Sequence, residues 1–251
     1  MSESFPLSSE RTILMVKSEY VLILEKPLFC CFMVFCVAGG VSNSERHDEQ
    51  THASLHTCHG VGGITANQAY FPRIAGKPAG YLFNQLQNFK DGRRHYGLMV
   101  GMVEHLSDPY LLEMAQYFAN LDLPYTQPVP LKIPASDASM LLGKTLALQG
   151  DKARNIPACT ACHGTALMGV QPMMPALLGL PRDYLVAQLG AWQTGLRRAH
   201  APDCMGRIAK LLKPADVDAV SNWLASQPVP AVTKPATSLP EPLTEKCGGV
   251  P

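Results

Sequence analysis

The chain has 251 residues, of which 47% are hydrophobic and 16% are charged. This balance is typical of one or two folded domains and excludes a disordered chain. The formal net charge is only +1. The sequence therefore lacks the basic character of a nucleic-acid-binding domain, and we expect no nucleic-acid partner.

The first 44 residues have the layout of an export signal. Glu25 and Lys26 precede an apolar run over residues 28–38, and Gly39 and Gly40 follow it. A charge, a short apolar core and small residues define a signal peptide, and a bilayer span needs about 20 apolar residues. We expect a periplasmic protein. A retained N-terminal membrane anchor, and hence membrane association, is the alternative, because residues 21–24 add apolar length.

The segment Leu55-His56-Thr57-Cys58-His59 is a damaged copy of a CxxCH motif, because leucine stands at the position of the first cysteine. Such motifs attach haem covalently: two thiols add to the haem vinyl groups, and the histidine binds the iron. We expect His56, at a variable position of the motif, to be an exposed side chain rather than a ligand.

Two helices are predicted next. Residues 78–90 place apolar side chains at helical spacing and end at Asp91-Gly92, a typical helix stop. Ser107 and Pro109 then cap and open a helix that reaches Asn120.

Residues 124–136 contain four prolines, at positions 124, 128, 130 and 134, which predicts a stiff, extended connector. The last residues, 228–251, are also rich in proline and have no apolar period. We expect them to form a mobile tail.

Cys159-Thr160-Ala161-Cys162-His163 is an intact CxxCH run and predicts covalently bound haem. A structural zinc site is the competing interpretation. Tetrahedral zinc requires four protein ligands, however, and no second Cys/His pair at short spacing accompanies these cysteines. Outside the motifs and the apolar N-terminal run, Cys204 and Cys247 remain, and they either pair in an oxidising compartment or stay free.

The two motifs head two copies of an internal repeat. The Pro-x-x-x-Gly segments 72–76 and 175–179 match, and a Tyr-Leu-x-x-Gln-Leu segment follows each. Met99 precedes a leucine by seven residues, as Met205 does. The second copy predicts helices over 182–194 and from residue 213 to about 226, and no strand pattern appears. The fold is therefore expected to be all-α, with two homologous halves.

The repeat carries the resemblance to a known family. Phe71-Pro72-x-x-Ala75-Gly76, Tyr81-Leu82-x-x-Gln85-Leu86, Met99-x-x-Met102 and Leu106-Ser107-Asp108 together resemble the dihaem cytochrome c4 family, which consists of tandem class I cytochrome c domains. The resemblance covers roughly residues 51–227. With the export signal and the two proline-rich segments described above, the expected organisation is a signal peptide or anchor over 1–44, a first cytochrome c domain over 45–123, a linker over 124–136, a second domain over 137–227 and a tail over 228–251.

The resemblance also implies the ligands of two haem c groups. The proximal iron ligands would be His59 and His163, oriented by the backbone carbonyls of Pro72 and Pro175. The distal ligands would be Met99 and Met205, because thioether sulfur suits an electron carrier. Met99 is preferred to Met102, which has no methionine counterpart in the second copy. The covalent attachments would be Cys58, Cys159 and Cys162.

The expected function is electron transfer between respiratory or dehydrogenase partners and a terminal acceptor, with no chemistry of the protein's own. A terminal oxidase, a cytochrome complex or a dehydrogenase would be the redox partner. The alternatives are a cytochrome subunit of a dehydrogenase complex, a monohaem carrier with a haemless first domain and, least favoured, a dihaem peroxidase. Two haems are expected, the first of them held by one thioether or absent. Four arginines either pair with haem propionates or form a solvated surface: Arg93, Arg94, Arg197 and Arg198.

Overall fold

The computed structural model describes residues 55–64, 71–128, 130–131, 134–239, 241–243 and 245–250. The predicted export signal lies outside these residues. The described residues belong to one compact unit, Ser42–Pro251. None of the helices found in these ranges has the length and apolar character needed to cross a membrane.

The fold is all-α, as the sequence predicted, and the described residues contain isolated β-bridges but no strand. The first half contains α1 (55–59), α2 (Ala79–Lys90), α3 (Gly97–Val103) and α4 (Asp108–Asn120). The second half contains α5 (Asp137–Leu148), α6 (Thr160–His163), α7 (Arg182–Thr194), α8 (Cys204–Leu211) and α9 (Pro214–Ser226). Short 3-10 turns lie at Val61–Gly63 and Lys152–Arg154.

The four helices predicted from local signals, α2, α4, α7 and α9, are confirmed. The Ser107 side chain accepts a hydrogen bond from the Tyr110 amide at 3.4 Å and caps α4. Pro214 opens α9, and the Asp216 carboxylate accepts a hydrogen bond from the Lys213 amide at 2.7 Å. Helices α3, α5 and α8 were not predicted.

Each half has its own apolar core. In the first half, α2 packs on α4 around residues such as Leu86, Leu111 and Phe118. In the second half, α9 packs between α5 and α7 and contributes Val220 and Trp223. Each core forms one wall of a cavity, so packing fixes the position of the residues that line it.

The described residues of the connector between the halves form no helix or strand, and the start of the connector is held by a buried arginine. Arg73 is buried and donates hydrogen bonds to the carbonyl oxygens of Leu123 at 2.6 Å and Pro124 at 2.8 Å. Its guanidinium also lies 3.9 Å from the centroid of the Tyr125 ring. These contacts hold the start of the connector against the first half.

The expectation of a mobile tail is wrong. Val229 is buried in the second core, and Ala236 pairs with Val170 in a short parallel bridge. Near the end of the chain, Cys247 forms a disulfide with Cys204. The proline-rich composition does disfavour helix here, but long-range contacts order the segment all the same.

The two halves meet through equivalent loops. Arg94 and Arg197 form an antiparallel bridge, in which the His95 amide donates to the Leu196 carbonyl at 2.9 Å. The Arg198 amide donates to the Arg93 carbonyl at 2.7 Å on the other side. The pairing of matching segments places the corresponding faces of the two halves against each other.

Close packing of α5 on α9 predicts the effect of one substitution. A β-carbon at Gly143 would run into the Ala219 carbonyl oxygen and lie 2.8 Å from the Trp223 β-carbon. We expect Gly143→Ala to lower the free energy of unfolding by about 1–3 kcal/mol, as overpacking does. Urea denaturation followed by circular dichroism would measure it.

Gly190→Ala in α7 is the matched control, because a β-carbon at Gly190 would meet no atom within 4 Å. There the higher helix propensity of alanine should raise the free energy of unfolding by up to about 1 kcal/mol. Equal effects of the two substitutions would contradict the packing argument.

Candidate functional site

A cavity of about 150 Å³ lies in the first half, and another of about 120 Å³ lies in the second. The first is lined by three of the predicted site residues, Cys58, His59 and Met99. The second is lined by the other four, Cys159, Cys162, His163 and Met205. The fold therefore sorts the candidate residues into two sets of the same kind.

The two histidines are held in one tautomer. His59 Nδ1 lies 2.8 Å from the Pro72 carbonyl oxygen, and His163 Nδ1 lies 2.8 Å from that of Pro175, as the family resemblance implied. A carbonyl oxygen can only accept, so Nδ1 carries the proton and Nε2 keeps its lone pair free for a metal.

The environment also keeps both rings neutral. Burial lowers the pKa of His59, although its bond to the Pro72 carbonyl opposes the shift. Burial likewise lowers the pKa of His163. Neutral imidazole is the form that ligates iron, so the site disfavours the protonated competitor.

A repeated turn brings the proline carbonyls to the histidines. Gly76 and Gly179, which end the two Pro-x-x-x-Gly segments, both adopt a φ of 71°. This left-handed conformation is one that a residue with a β-carbon rarely adopts. The matching φ angle agrees with the sequence match of the two segments.

The surroundings of the cysteines of the second motif disfavour the thiolate form. Burial raises the pKa of Cys159 to about 11 and also raises that of Cys162. Structural zinc binds thiolates. Moreover, within the described ranges no group of three or more His, Cys, Asp or Glu side chains is placed to hold a metal ion. The described residues therefore provide no closed four-ligand zinc site at these cysteines.

In the first half, Leu55 takes the place of the missing cysteine. It is 3% exposed, belongs to the first core and lines the first cavity, as Cys159 lines the second. The leucine thus offers an apolar wall at the position where the second half offers a thiol.

The expectation that His56 is exposed is wrong. Its ring is half-buried, with its centroid 5.9 Å from that of Phe118 and 6.5 Å from that of Tyr117. It packs against α4 because the turn of α1 directs it there. It does not line the first cavity, so it remains unsuited to ligation.

A polar cluster separates the two cavities. Arg94 donates to the side-chain oxygens of Gln85 at 3.0 Å and Gln188 at 2.7 Å. Arg197 donates to the same two oxygens, at 3.0 Å and 2.7 Å. Five side chains line both cavities at once: Lys77, Tyr81, Tyr184, Gln188 and Arg197.

This cluster has positive charge but no carboxylate partner. Among the described residues, the ion pairs found involve neither Lys77 nor Arg94 nor Arg197. Burial lowers the pKa of Lys77 and of Arg197. Burial alone would raise the pKa of the Tyr81 hydroxyl, yet the surrounding cations hold it below its usual value. The space between the cavities is therefore suited to an anion.

The second cavity also contains an unpaired donor. The indole Nε1 of Trp192 is buried and has no hydrogen-bond partner among the described residues. The ring lines the second cavity, and the Arg197 guanidinium lies 3.8 Å from its centroid. A buried N–H beside a cation is a donor that a carboxylate ligand would satisfy.

The arginines proposed for propionates divide into two groups. Arg94 and Arg197 face the cavities, whereas Arg93 pairs with Asp91 and Arg198 reaches the Gly92 carbonyl at the surface. Lys77 was not among the site residues predicted from the sequence. The signal available was a lysine between Pro-x-x-x-Gly and an amphipathic helix, where the second copy has Leu180.

Comparison with known proteins agrees with this geometry. The family model described as Cytochrome c matches residues 142–228. The thiosulfate dehydrogenase electron acceptor of Thiomonas intermedia is 39% identical over 186 residues, which cover 74% of this chain and 83% of that protein. Cytochrome c4 of Pseudomonas aeruginosa is 31% identical over 66% of this chain and 80% of its own length.

Among solved structures, cytochrome c4 of Acidithiobacillus ferrooxidans superposes with a TM-score of 0.58 at 29% identity. The match covers 70% of this chain and 99% of that one. It thus extends over both halves rather than one. The tandem arrangement inferred from the repeat is confirmed.

Proposed function

This chain belongs to the dihaem cytochrome c4-like family of electron-transfer proteins, and we propose that each of its two cavities holds one haem c. A single observation carries the proposal. Buried cations line both cavities and have no carboxylate partner among the described residues. Each haem c brings two propionate carboxylates, which would supply the missing negative charge to Lys77, Arg94 and Arg197.

The residues of each cavity have separate roles. His59 and His163 present an unprotonated Nε2 to the iron, because each Nδ1 is committed to a proline carbonyl. Met99 and Met205 supply the distal sulfur, which favours the ferrous state. Met102 also lines the first cavity, so the choice of Met99 rests on its spacing in the repeat. Haem iron, when bound, supplies the one-electron redox step.

The first haem is held by one thioether. Cys58 is a free cysteine that lines the first cavity, and its sulfur would add to one vinyl group. The second vinyl group would pack against the buried Leu55 side chain without a bond. This attachment differs from that in the second half, where Cys159 and Cys162 are both free to react.

The electron donor that we propose is a thiosulfate dehydrogenase. The support is the Thiomonas intermedia relative, which is named as an electron acceptor of that enzyme. Members of the cytochrome c4 family are periplasmic, and the N-terminal 44 residues would direct export of this chain. The protein would then carry electrons from the dehydrogenase to a terminal oxidase or another cytochrome.

Haem counting tests the cofactor proposal. A pyridine haemochrome spectrum should give two haems per chain, one of them with the longer-wavelength α band of a single thioether. Leu55→Cys should move that component to the shorter wavelength of a two-thioether haem. Leu86→Cys, at another buried leucine of the same cavity, should not. A count of one haem would support a haemless first domain instead.

Arg197→Gln tests the shared charge. A cation beside a haem disfavours the ferric form, which carries one more positive charge, so its loss should lower both reduction potentials. We expect shifts of roughly 30–60 mV, equivalent to about three- to tenfold in a one-electron equilibrium. Spectroelectrochemical titration would measure them. The surface variant Arg198→Gln is the control and should leave both potentials unchanged. Similar effects of both variants would refute a specific role for Arg197.

Stopped-flow mixing tests the partner. Oxidised protein mixed with a thiosulfate dehydrogenase and thiosulfate should be reduced far faster than with thiosulfate alone. The rate should fall as ionic strength rises if charged surfaces steer the encounter. Reduction no faster than with thiosulfate alone would exclude this donor while leaving the haem assignments intact.

A further inference from the structure

The residue before the distal methionine differs between the two halves. In the first half Leu98 precedes Met99 and is 63% exposed. In the second half Cys204 precedes Met205 and forms a disulfide with Cys247. Leu98 and Cys204 occupy equivalent positions of the repeat, so the second half has a covalent tether where the first has a solvent-exposed side chain.

The tether joins α8 to a well-placed segment of the tail, residues 245–249. Glu245 forms an ion pair with Arg207, on the first turn of α8. The Gly248 amide donates to the Pro202 carbonyl at 2.8 Å. A β-carbon at Gly248 would run into the His200 carbonyl oxygen, so the tail lies directly on the loop that leads into α8.

The same tail segment reaches the first half of the protein. The Asn84 side-chain amide, on α2, donates to the Gly249 carbonyl at 2.8 Å. The tail is thus held at one end by α2 and at the other by the disulfide at the start of α8. Displacement of α8 would require these contacts to break.

The helices that carry the two methionines, α3 and α8, also differ in how many contacts hold their ends. The Asp203 carboxylate caps α8 by accepting a hydrogen bond from the Gly206 amide at 2.8 Å, and it also accepts one from the Ala199 amide of the preceding loop at 2.8 Å. At the other end of α8, Gln193 donates to the Ala209 and Leu212 carbonyls, each at 2.9 Å.

Helix α3, the counterpart of α8, has no side-chain hydrogen bond at its N-cap residue, Tyr96. A β-carbon at Gly97 or Gly101 would meet no atom within 4 Å. The helix that carries Met99 is therefore held less firmly than the one that carries Met205.

We propose that tail residues 245–249, which include Cys247, are positioning residues that hold Met205 at the iron of the second site. The proposal rests on the assignment of Met205 as distal ligand. An external ligand would reach that iron only in the fraction of molecules in which α8 has moved away, here called the open fraction. The apparent affinity of the ligand is its intrinsic affinity multiplied by the open fraction. The tether lowers the open fraction at the second site, so the first site exchanges its distal ligand more readily.

Titration of the oxidised holoprotein with imidazole tests the proposal. The weak near-infrared sulfur-to-iron band monitors the loss of methionine ligation. We expect two binding phases, the weaker one at the second site. In Cys247→Ser the weaker phase should tighten by about tenfold or more, equivalent to about 1.4 kcal/mol, while the tighter phase stays the same. Amide hydrogen exchange over residues 205–208 should also accelerate, which reports the loosening without reference to the haem.

Two further variants make the result specific. Lys234→Gln, which removes only an exposed ion pair between the tail and Asp122, should change neither phase. Gly248→Ala keeps the disulfide but pushes the tail off the loop at His200, so it should tighten the weaker phase in part. Gly248→Ala also serves as the test if Cys247→Ser fails to load haem.

Met205→Ala separates this proposal from the assignment on which it rests. Loss of part of the sulfur-to-iron band in Met205→Ala supports the ligand assignment, and its full persistence refutes that assignment. If Met205→Ala loses the band but Cys247→Ser and Gly248→Ala leave both imidazole phases within about twofold of the unaltered protein, the positioning role is overturned.

Discussion

Buried positive charge without its counter-charge is the constraint on which the rest of the structure depends. Lys77 and Arg197 are buried, and Arg94 is half-buried beside them. Hydrogen bonds from Arg94 and Arg197 to Gln85 and Gln188 satisfy some of the N–H groups but do not neutralise the guanidinium charges. Burial of uncompensated charge opposes the docking of one half on the other. An anion that enters either cavity removes this penalty, so ligand binding and the assembly of the two halves are thermodynamically coupled. On the proposed assignment the haem propionates would supply the carboxylates that the described residues around the cluster lack.

The cluster is nearly symmetric, and the departures from symmetry are informative. Arg94 stacks on Phe89 and Arg197 on Trp192, at equivalent positions of the repeat. Lys77 has no cationic counterpart, since Leu180 stands there in the second half. It lines both cavities, so its charge acts on both sites although only one half encodes it. A change of charge in one cavity is therefore felt in the other through the same side chains.

The sequence predicted what local patterns and the repeat encode. Caps and apolar spacing predicted helices α2, α4, α7 and α9, and the family resemblance, carried by the repeat, implied the pairing of each histidine with a proline carbonyl. It could not predict the ordered tail, because the contacts there join residues far apart in the chain: Cys204 with Cys247 and Asn84 with Gly249. Such contacts leave no periodic signal. Helix α5 was missed for another reason, since it precedes the part of the repeat that the two copies share and only the Ser136 cap marks its start.

The two halves share one architecture but differ in how firmly each would hold its haem and the helix that carries its methionine. On the proposed assignment, the second site has two thioether bonds and a distal helix held by a cap, a disulfide and the tail. The first has one thioether bond, an apolar contact from Leu55 and a distal helix whose leading leucine faces solvent. Electron transfer favours a ligand set that does not rearrange, because rearrangement adds to the energy that each transfer must overcome. The more restrained second site meets that requirement better. At the first site, a partner that binds beside Leu98 would more easily alter the ligand geometry and hence the reduction potential of that site.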